Sequence, residues 1–340
     1  MKVNGDLCHD LLKEKVVPKL SFYKGVDYVA WSKQVREKFF ELIGIDKVKE
    51  NACPLHFEIE SEVQKEGYKQ IRFKIESEIG SVVPVYALIP DTGKEKYPVA
   101  IVLQGHSSGF HNSIGEPKNE KENDYALGRG KFAVQAVQRG YIAIAIEQRG
   151  MGERRPSKTM RGDAQMCAYE ALTAFAYGRT ILAERIWDVS KVIDVLHNFS
   201  QCDLDKIFIT GNSGGGTMSF YAACFDERIK LSAPSCAFCS YKTSILEVFH
   251  CACNYIPHAI EWFEMEDLSA LIAPRKLLSI SGQKDTIFPI DGVRKSFEIV
   301  KEIFAAAGCL HNCRLIETEK AHWWCEDIVW TAIEDALQNL

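Results

Sequence analysis

Short apolar runs recur along this chain, each closing on glycine or a polar residue: YPVAIVLQG (97–105), YIAIAIEQRG (141–150), KIFITGNSG (206–214), RIKLSAPS (228–235), RKLLSISGQKD (275–285) and NCRLIETEKAH (312–322). Near-continuous runs of this length belong to strands covered on both faces. Between them, residues 125–139, a long stretch around 164–198, 214–225, 291–307 and 324–338 carry the spacing of helices. Such alternation predicts an α/β fold, a mostly parallel central sheet flanked by helices. Upstream, KQIRFKIESE and SVVPVYALIP alternate in polarity around a break at Ile79-Gly80-Ser81, which predicts an antiparallel pair at the sheet edge.

Two segments stand outside this rhythm. WSKQVREKFFELIGI (31–45) puts Val35, Phe39, Leu42 and Ile43 on one stripe, as a helix packed beside the main domain would. Residues 235–272 interrupt the alternation and are expected to form a cap-like insertion. The organisation that follows is an N-terminal helical extension over 1–65 and a main domain over 66–340 that carries the insertion.

Composition narrows the classes. A chain of 340 residues with 46% hydrophobic and 26% charged residues is globular, and it exceeds the roughly 250–300 residues that one core supports. The formal net charge is -5 with no block of lysine or arginine, so neither nucleic acid nor an anionic membrane is an expected partner. The first residues, MKVNGDLCHDLLKEKVVPKL, mix charges into each apolar stretch, unlike a secretory leader, and no later run is long enough to span a bilayer. Twelve scattered cysteines read as reduced thiols. A cytoplasmic, soluble protein with a small-molecule partner is expected.

The chemistry concentrates at GNSGGGT (211–217), directly after Ile207-Phe208-Ile209. A phosphate loop needs lysine before its Ser or Thr, and none is present. The segment satisfies G-x-S-x-G in a strand-turn-helix context, which makes Ser213 the candidate nucleophile. A serine hydroxyl needs a histidine base and an acid to hold it. Open sheets place such groups beyond the carboxyl ends of their strands, where Asp285 and His322 both fall, in the chain order Ser, Asp, His. Asp291 is an alternative acid. The oxyanion donors are expected to be the N–H of Gly214, just after the nucleophile, and that of His106 or Ser107 in the loop QGHSSG (104–109).

Together with EQRGMGER (147–154), HCACNYIP (250–257), DLSALIAPR (267–275) and SGQKDTIFP (281–289), these residues make nearly the whole chain resemble the α/β-hydrolase superfamily, in its acetyl xylan esterase-like and dienelactone hydrolase-like branch. The resemblance implies a serine hydrolase with Ser213, Asp285 and His322 as its triad, no cofactor, and a small acyl (acetyl-type) ester of a carbohydrate or other small alcohol as substrate. It also marks Arg149, which braces loops in such esterases, as a candidate for the substrate pocket, with a structural ion pair to an acidic neighbour as the equal alternative. Ser107, in the loop after the strand VAIVL, and Trp323, directly after His322, are further pocket candidates, packing of the last helix being the alternative for the tryptophan. Gln104-Gly105 stands where relatives usually have His-Gly, and Trp323 replaces the glutamate that follows the histidine in cephalosporin-deacetylating esterases. Both departures argue against a strict assignment to that esterase family. The alternatives are a propeller-free serine peptidase of the prolyl oligopeptidase type and a weakly catalytic ligand sensor. Cys236-x-x-Cys239 and Cys251-x-Cys253, beside His250, raise a zinc site, but the C-x-C spacing is awkward for one. Cysteines packed as small apolar residues are the preferred explanation, so no metal is expected.

Overall fold

The computed structural model describes residues 5–157 and 166–338. Nine strands form one sheet among them: β1 (His56–Lys65), β2 (Tyr68–Glu78), β3 (Ser81–Pro90), β4 (Tyr97–Leu103), β5 (Ile142–Ile146), β6 (Cys202–Asn212), β7 (Ile229–Ser235), β8 (Lys276–Gly282) and β9 (Cys313–Thr318). Their order is β1-β2-β3-β5-β4-β6-β7-β8-β9. The first three strands and the β3–β5 pair are antiparallel, and every pairing from β5 through β4 to β9 is parallel. The chain leaves β4 toward β5 on one side and later reaches β6 on the other. That reversal opens a crevice above the carboxyl ends of β4 and β6, where open sheets put their ligands.

Helices cover both faces: α1 (Leu7–Lys15), α2 (Tyr28–Ile43), α3 (Ile45–Lys49), α4 (Phe132–Gln138), α5 (Met166–Ala176), α6 (Ile181–Val195), α7 (Gly214–Phe225), α8 (Ile290–Ala306) and α9 (Glu326–Leu337). Alternate strand positions explain the two layers. Val99, Ile101 and Leu103 of β4 and Ile142, Ile144 and Ile146 of β5 face the core that α2, α6, α7 and α8 close. Ala100, Ala143 and Ala145 face the other side, where their small size leaves room for Trp324 and Trp330. Both indole N–H groups donate to Gln135 Oε1, each at 3.0 Å, which satisfies them inside that core.

The helical extension is present but shorter than expected. Helix α2 buries Trp31, Val35, Phe39 and Ile43, with Leu42 only half-buried, starts on an Asp27 cap and ends at Gly44 in the left-handed region. The helices finish at Lys49, and residues 56–65 join the sheet as β1. The expected helix over 125–139 is a π-helical turn at Asp124–Arg129 followed by α4. The one around 164–198 is two helices, broken at Gly178 and restarted by Thr180, whose hydroxyl accepts from Ala183 N; positions 164 and 165 lie outside the described residues. The insertion at 235–272 contains short single turns only, and it buries Phe238, Tyr241 and Phe263 in the main core.

Candidate active site

Ser213 joins β6 to α7 with φ 56 and ψ -126, a conformation that side-chain-bearing residues avoid. Holding it costs about 1–3 kcal/mol, so the surroundings must impose it. The Ser213 N–H donates to Ser235 O at 2.9 Å, and Ser213 O accepts from Thr217 N at 2.8 Å, which ties the turn to β7 and to the first turn of α7. The neighbouring glycines allow the approach. A Cβ on Gly211 or Gly215 would lie 2.2 or 1.9 Å from the Leu103 carbonyl oxygen, and one on Gly216 would lie 2.7 Å from Ala237 Cβ. The glycine cluster is thus a docking surface that seats α7 against β4 while the serine stands proud of it.

Asp285 follows β8 and His322 follows β9. His322 Nδ1 lies 2.8 Å from Asp285 Oδ2. The other carboxylate oxygen, Oδ1, accepts from Ile287 N at 2.8 Å and Phe288 N at 3.1 Å. With the carboxylate so fixed, Nδ1 carries the proton and Nε2 keeps its lone pair. The imidazole stacks on Phe288, with centroids 6.0 Å apart. Cys236 Sγ lies within 4.8 Å of both the Asp285 and His322 side chains, and the adjacent Ser235 carbonyl holds the Ser213 N–H. The three residues therefore stand on one rim. Among the described residues, Ser213 Oγ and His322 Nε2 are not hydrogen-bonded to each other. Asp291 is not part of this group: it is exposed and pairs with Arg294.

The loop after β4 supplies the facing wall. An ideal Cβ on Gly214 would sit 3.8 Å from His106 N and 3.1 Å from His106 Nδ1, so the two expected oxyanion donors belong to segments in contact. Among the described residues neither amide donates to a backbone carbonyl. Glu147, at the end of β5, organises this loop and was not singled out from sequence. Its carboxylate accepts from Gln104 Nε2 (3.1 Å), Phe110 N (3.2 Å) and Glu153 N (3.2 Å). Full burial pushes its pKa up to about 7, although those backbone N–H groups favour the anion. The available signal was a carboxylate placed directly after the apolar run of a strand.

The candidate pocket residues part company. Ser107 lines a cavity of about 410 Å³ with His106, Ser108, Met151, Arg155 and Cys251. Arg149 does not line it. Its guanidinium meets Asp188 (2.9 Å), Glu78 (2.6 Å) and Glu184 (3.3 Å), within a buried network that also holds Arg154 and Arg179. Burial alone would raise the Asp188 carboxyl, but Arg149 and Arg154 hold it well below the usual range. The larger cleft of about 760 Å³ that Arg149 borders includes neither Ser213 nor His322. Trp323 lines a separate cleft of about 710 Å³, its ring 3.9 Å from the Arg129 guanidinium.

The cysteine motifs disperse differently from their spacing. Cys239 bonds to Thr243 and His250 to Ser244, so the C-x-x-C pair and His250 do not join Cys251 and Cys253. Cys251 and Cys253 instead meet His106 and Cys167, all four ligand atoms within 4.8 Å of one another.

The model of the Abhydrolase family matches residues 4–226. YtaP of Bacillus subtilis (strain 168), a hydrolase by name, is 28% identical over 244 residues, 71% of this chain and 78% of that protein. Among solved structures, BF1801 from Bacteroides fragilis NCTC 9343, an acetyl xylan esterase by name, superposes with a TM-score of 0.84 at 16% identity over 100% of this chain and 96% of its own. A glucuronoyl esterase from Solibacter usitatus gives 0.67 at 15% identity, over 96% and 99%. These two likenesses are of fold, and the fold is the α/β-hydrolase fold that the strand order and the elbow display. With a family model spanning well over half its length, the chain belongs to the Abhydrolase family.

Proposed function

We propose that this protein is a serine carboxylic ester hydrolase that cleaves a small acyl, acetyl-type ester of a carbohydrate or other small alcohol. The observation that carries the proposal is the strained Ser213 turn on the same rim as a histidine whose Nδ1 is engaged by Asp285 and whose Nε2 has no hydrogen-bond partner among the described residues. His322 Nε2 takes the proton of Ser213 as Oγ attacks the ester carbonyl, and Asp285 steadies the resulting imidazolium. The N–H groups of Gly214 and His106 receive the oxyanion, each worth about 3–4 kcal/mol in such sites. Collapse expels the alcohol, which takes the proton from His322, and water then releases the acid from the acyl-enzyme by the same route. The hydrogen bond between serine and histidine closes when substrate fills the site, as is common for catalytic contacts that are long in the free enzyme.

Substrate class rests on the fold neighbours named above, an acetyl xylan esterase and a glucuronoyl esterase by name; the 410 Å³ cavity beside Ser107, like the two larger clefts, is lined by none of Ser213, Asp285 and His322. The chemistry itself requires no cofactor. A fluorophosphonate probe is expected to label the wild type and not Ser213→Ala, and p-nitrophenyl acetate is expected to outpace longer acyl esters. Absence of labelling, or cleavage of aminoacyl anilides without esters, would overturn the proposal, the latter in favour of a peptidase.

A further inference from the structure

We infer that His106, Cys167, Cys251 and Cys253 form a zinc site that clamps the loop after β4 to α5 and to the 235–272 insertion. Three thiols and one imidazole bring their ligand atoms within 4.8 Å of one another, and Cys253 Sγ lies 3.3 Å from His106 Nε2. Tetrahedral zinc with Zn–S of about 2.3 Å holds its ligand atoms about 3.5–3.8 Å apart, so the cluster needs only a slight contraction around an ion. Thiolate and imidazole donors in this ratio suit zinc among the common divalent metals.

Charge supplies an independent argument. Arg185 is buried against the cluster, where its guanidinium donates to Cys167 Sγ at 3.0 Å and to the Arg149 carbonyl. Among the described residues no carboxylate forms an ion pair with it, and its third nitrogen has no partner. An unpaired buried cation is costly; Glu170 acts on Arg185 without forming an ion pair, and the thiol that Arg185 touches, Cys167, can become an anion. Three thiolates alone would repel one another. Three thiolates around Zn²⁺ carry a net charge of -1, which Arg185 neutralises. The metal enters as Zn²⁺ and the thiol protons leave to solvent, with no change of oxidation state.

Four protein ligands close the coordination sphere, so the ion is structural rather than a Lewis acid for substrate. Its effect on chemistry is positional. The His106 ring rests against Gly214, and fixing that ring fixes the His106 backbone beside it.

Metal content tests the site without any assay of activity, so its outcome is separate from that of Ser213. The full chain, expressed in zinc-supplemented medium and passed through chelator-treated buffer, is expected to hold about one zinc per chain by elemental mass spectrometry. Cys167→Ser and Cys253→Ser should lose it, while Cys313→Ser, remote from the cluster, should keep it. Should the cysteine variants fail to fold, the wild type reloaded with Co²⁺ provides the second measurement, with thiolate-to-cobalt charge-transfer and tetrahedral d–d bands expected. Absence of both zinc and cobalt bands in folded wild type, retention of zinc by both cysteine variants, or a disulfide between any two of the three thiols by peptide mapping would overturn the inference.

Discussion

Asp285→Asn isolates one proton. In the wild type, Oδ1 accepts from two backbone N–H groups, at 2.8 and 3.1 Å, and Oδ2 faces His322 Nδ1 at 2.8 Å. An amide has one acceptor end. If its nitrogen turned toward Ile287 and Phe288, two buried N–H groups would be left facing a donor, at about 1–3 kcal/mol each. The amide oxygen therefore stays where Oδ1 was, and its nitrogen points at the imidazole. Nδ1 must then accept, which moves the ring proton to Nε2, the atom that should receive the serine proton. A triad with the wrong tautomer loses about 10⁴ in kcat, or about 5 kcal/mol of transition-state stabilisation.

Stability should barely move, because both backbone bonds survive. Asp285→Ala, by contrast, abandons them and should cost about 2–6 kcal/mol. The assay is kcat/KM on p-nitrophenyl acetate near neutral pH, with Ser213→Ala as the floor and thermal unfolding measured in parallel. Activity of Asp285→Asn within tenfold of wild type would refute the tautomer argument. Equal loss of stability in the two aspartate variants would show that the amide had not kept its backbone partners.

Other consequences are as specific. Gly215→Ala places a methyl 1.9 Å from the Leu103 carbonyl, and should lower stability by at least about 1–3 kcal/mol, read as a drop in Tm. Arg149→Met strips a guanidinium from Glu78, Glu184 and Asp188 and should cost about 3–5 kcal/mol in denaturant unfolding, while KM of the folded enzyme stays near wild type; a large rise in KM would instead make Arg149 a substrate contact. Gln135→Leu orphans the indole N–H groups of Trp324 and Trp330, a loss of about 2–6 kcal/mol. Glu147, raised to about 7, binds its proton more tightly in the folded state, so its contribution is full below the ordinary carboxylate range and is lost as pH rises through about 7. That amounts to about 3 kcal/mol, and Glu147→Gln should fall less in stability between pH 5 and pH 8 than wild type does.

What the sequence revealed tracks what burial demands of it. Strands β4 to β8 lie largely between two layers, so their apolar runs announce them. β1 is an edge strand with exposure along most of its length, and in HFEIESEVQK the alternation rests on only Phe57, Ile59 and Val63 among charged residues, so no apolar run announces it. The break between α5 and α6 spans only residues 177–180, with Gly178 at positive φ, inside a stretch whose helical spacing continues past it. At the site, the placement of Ser213, Asp285 and His322 after β6, β8 and β9 was legible because a strand end is a local feature of sequence. The cysteine cluster was not. Its members come from three separate segments: of the two motifs that raised zinc, Cys251-x-Cys253 contributes two thiols and Cys236-x-x-Cys239 none, while His106 and Cys167 lie far away in sequence.

The two walls of the site are held by different means. The nucleophile side is rigid by contact: Gly211 and Gly215 press α7 onto the Leu103 carbonyl, and no side chain can relax there without moving the helix. The facing loop touches the elbow at Gly105, where a Cβ would lie 2.9 Å from Asn212 O and 3.1 Å from Ser213 Cβ, and polar tethers hold it on either side. Glu147 holds its start and its far end through Gln104 and Phe110, and between those points His106 is held by the thiols of the cluster. Since the His106 ring lies against Gly214, displacing it would misplace the His106 donor relative to a serine and a Gly214 N–H that stay put. Damage to either tether should therefore appear in kcat before KM, because the donors act on charge that develops only in the transition state.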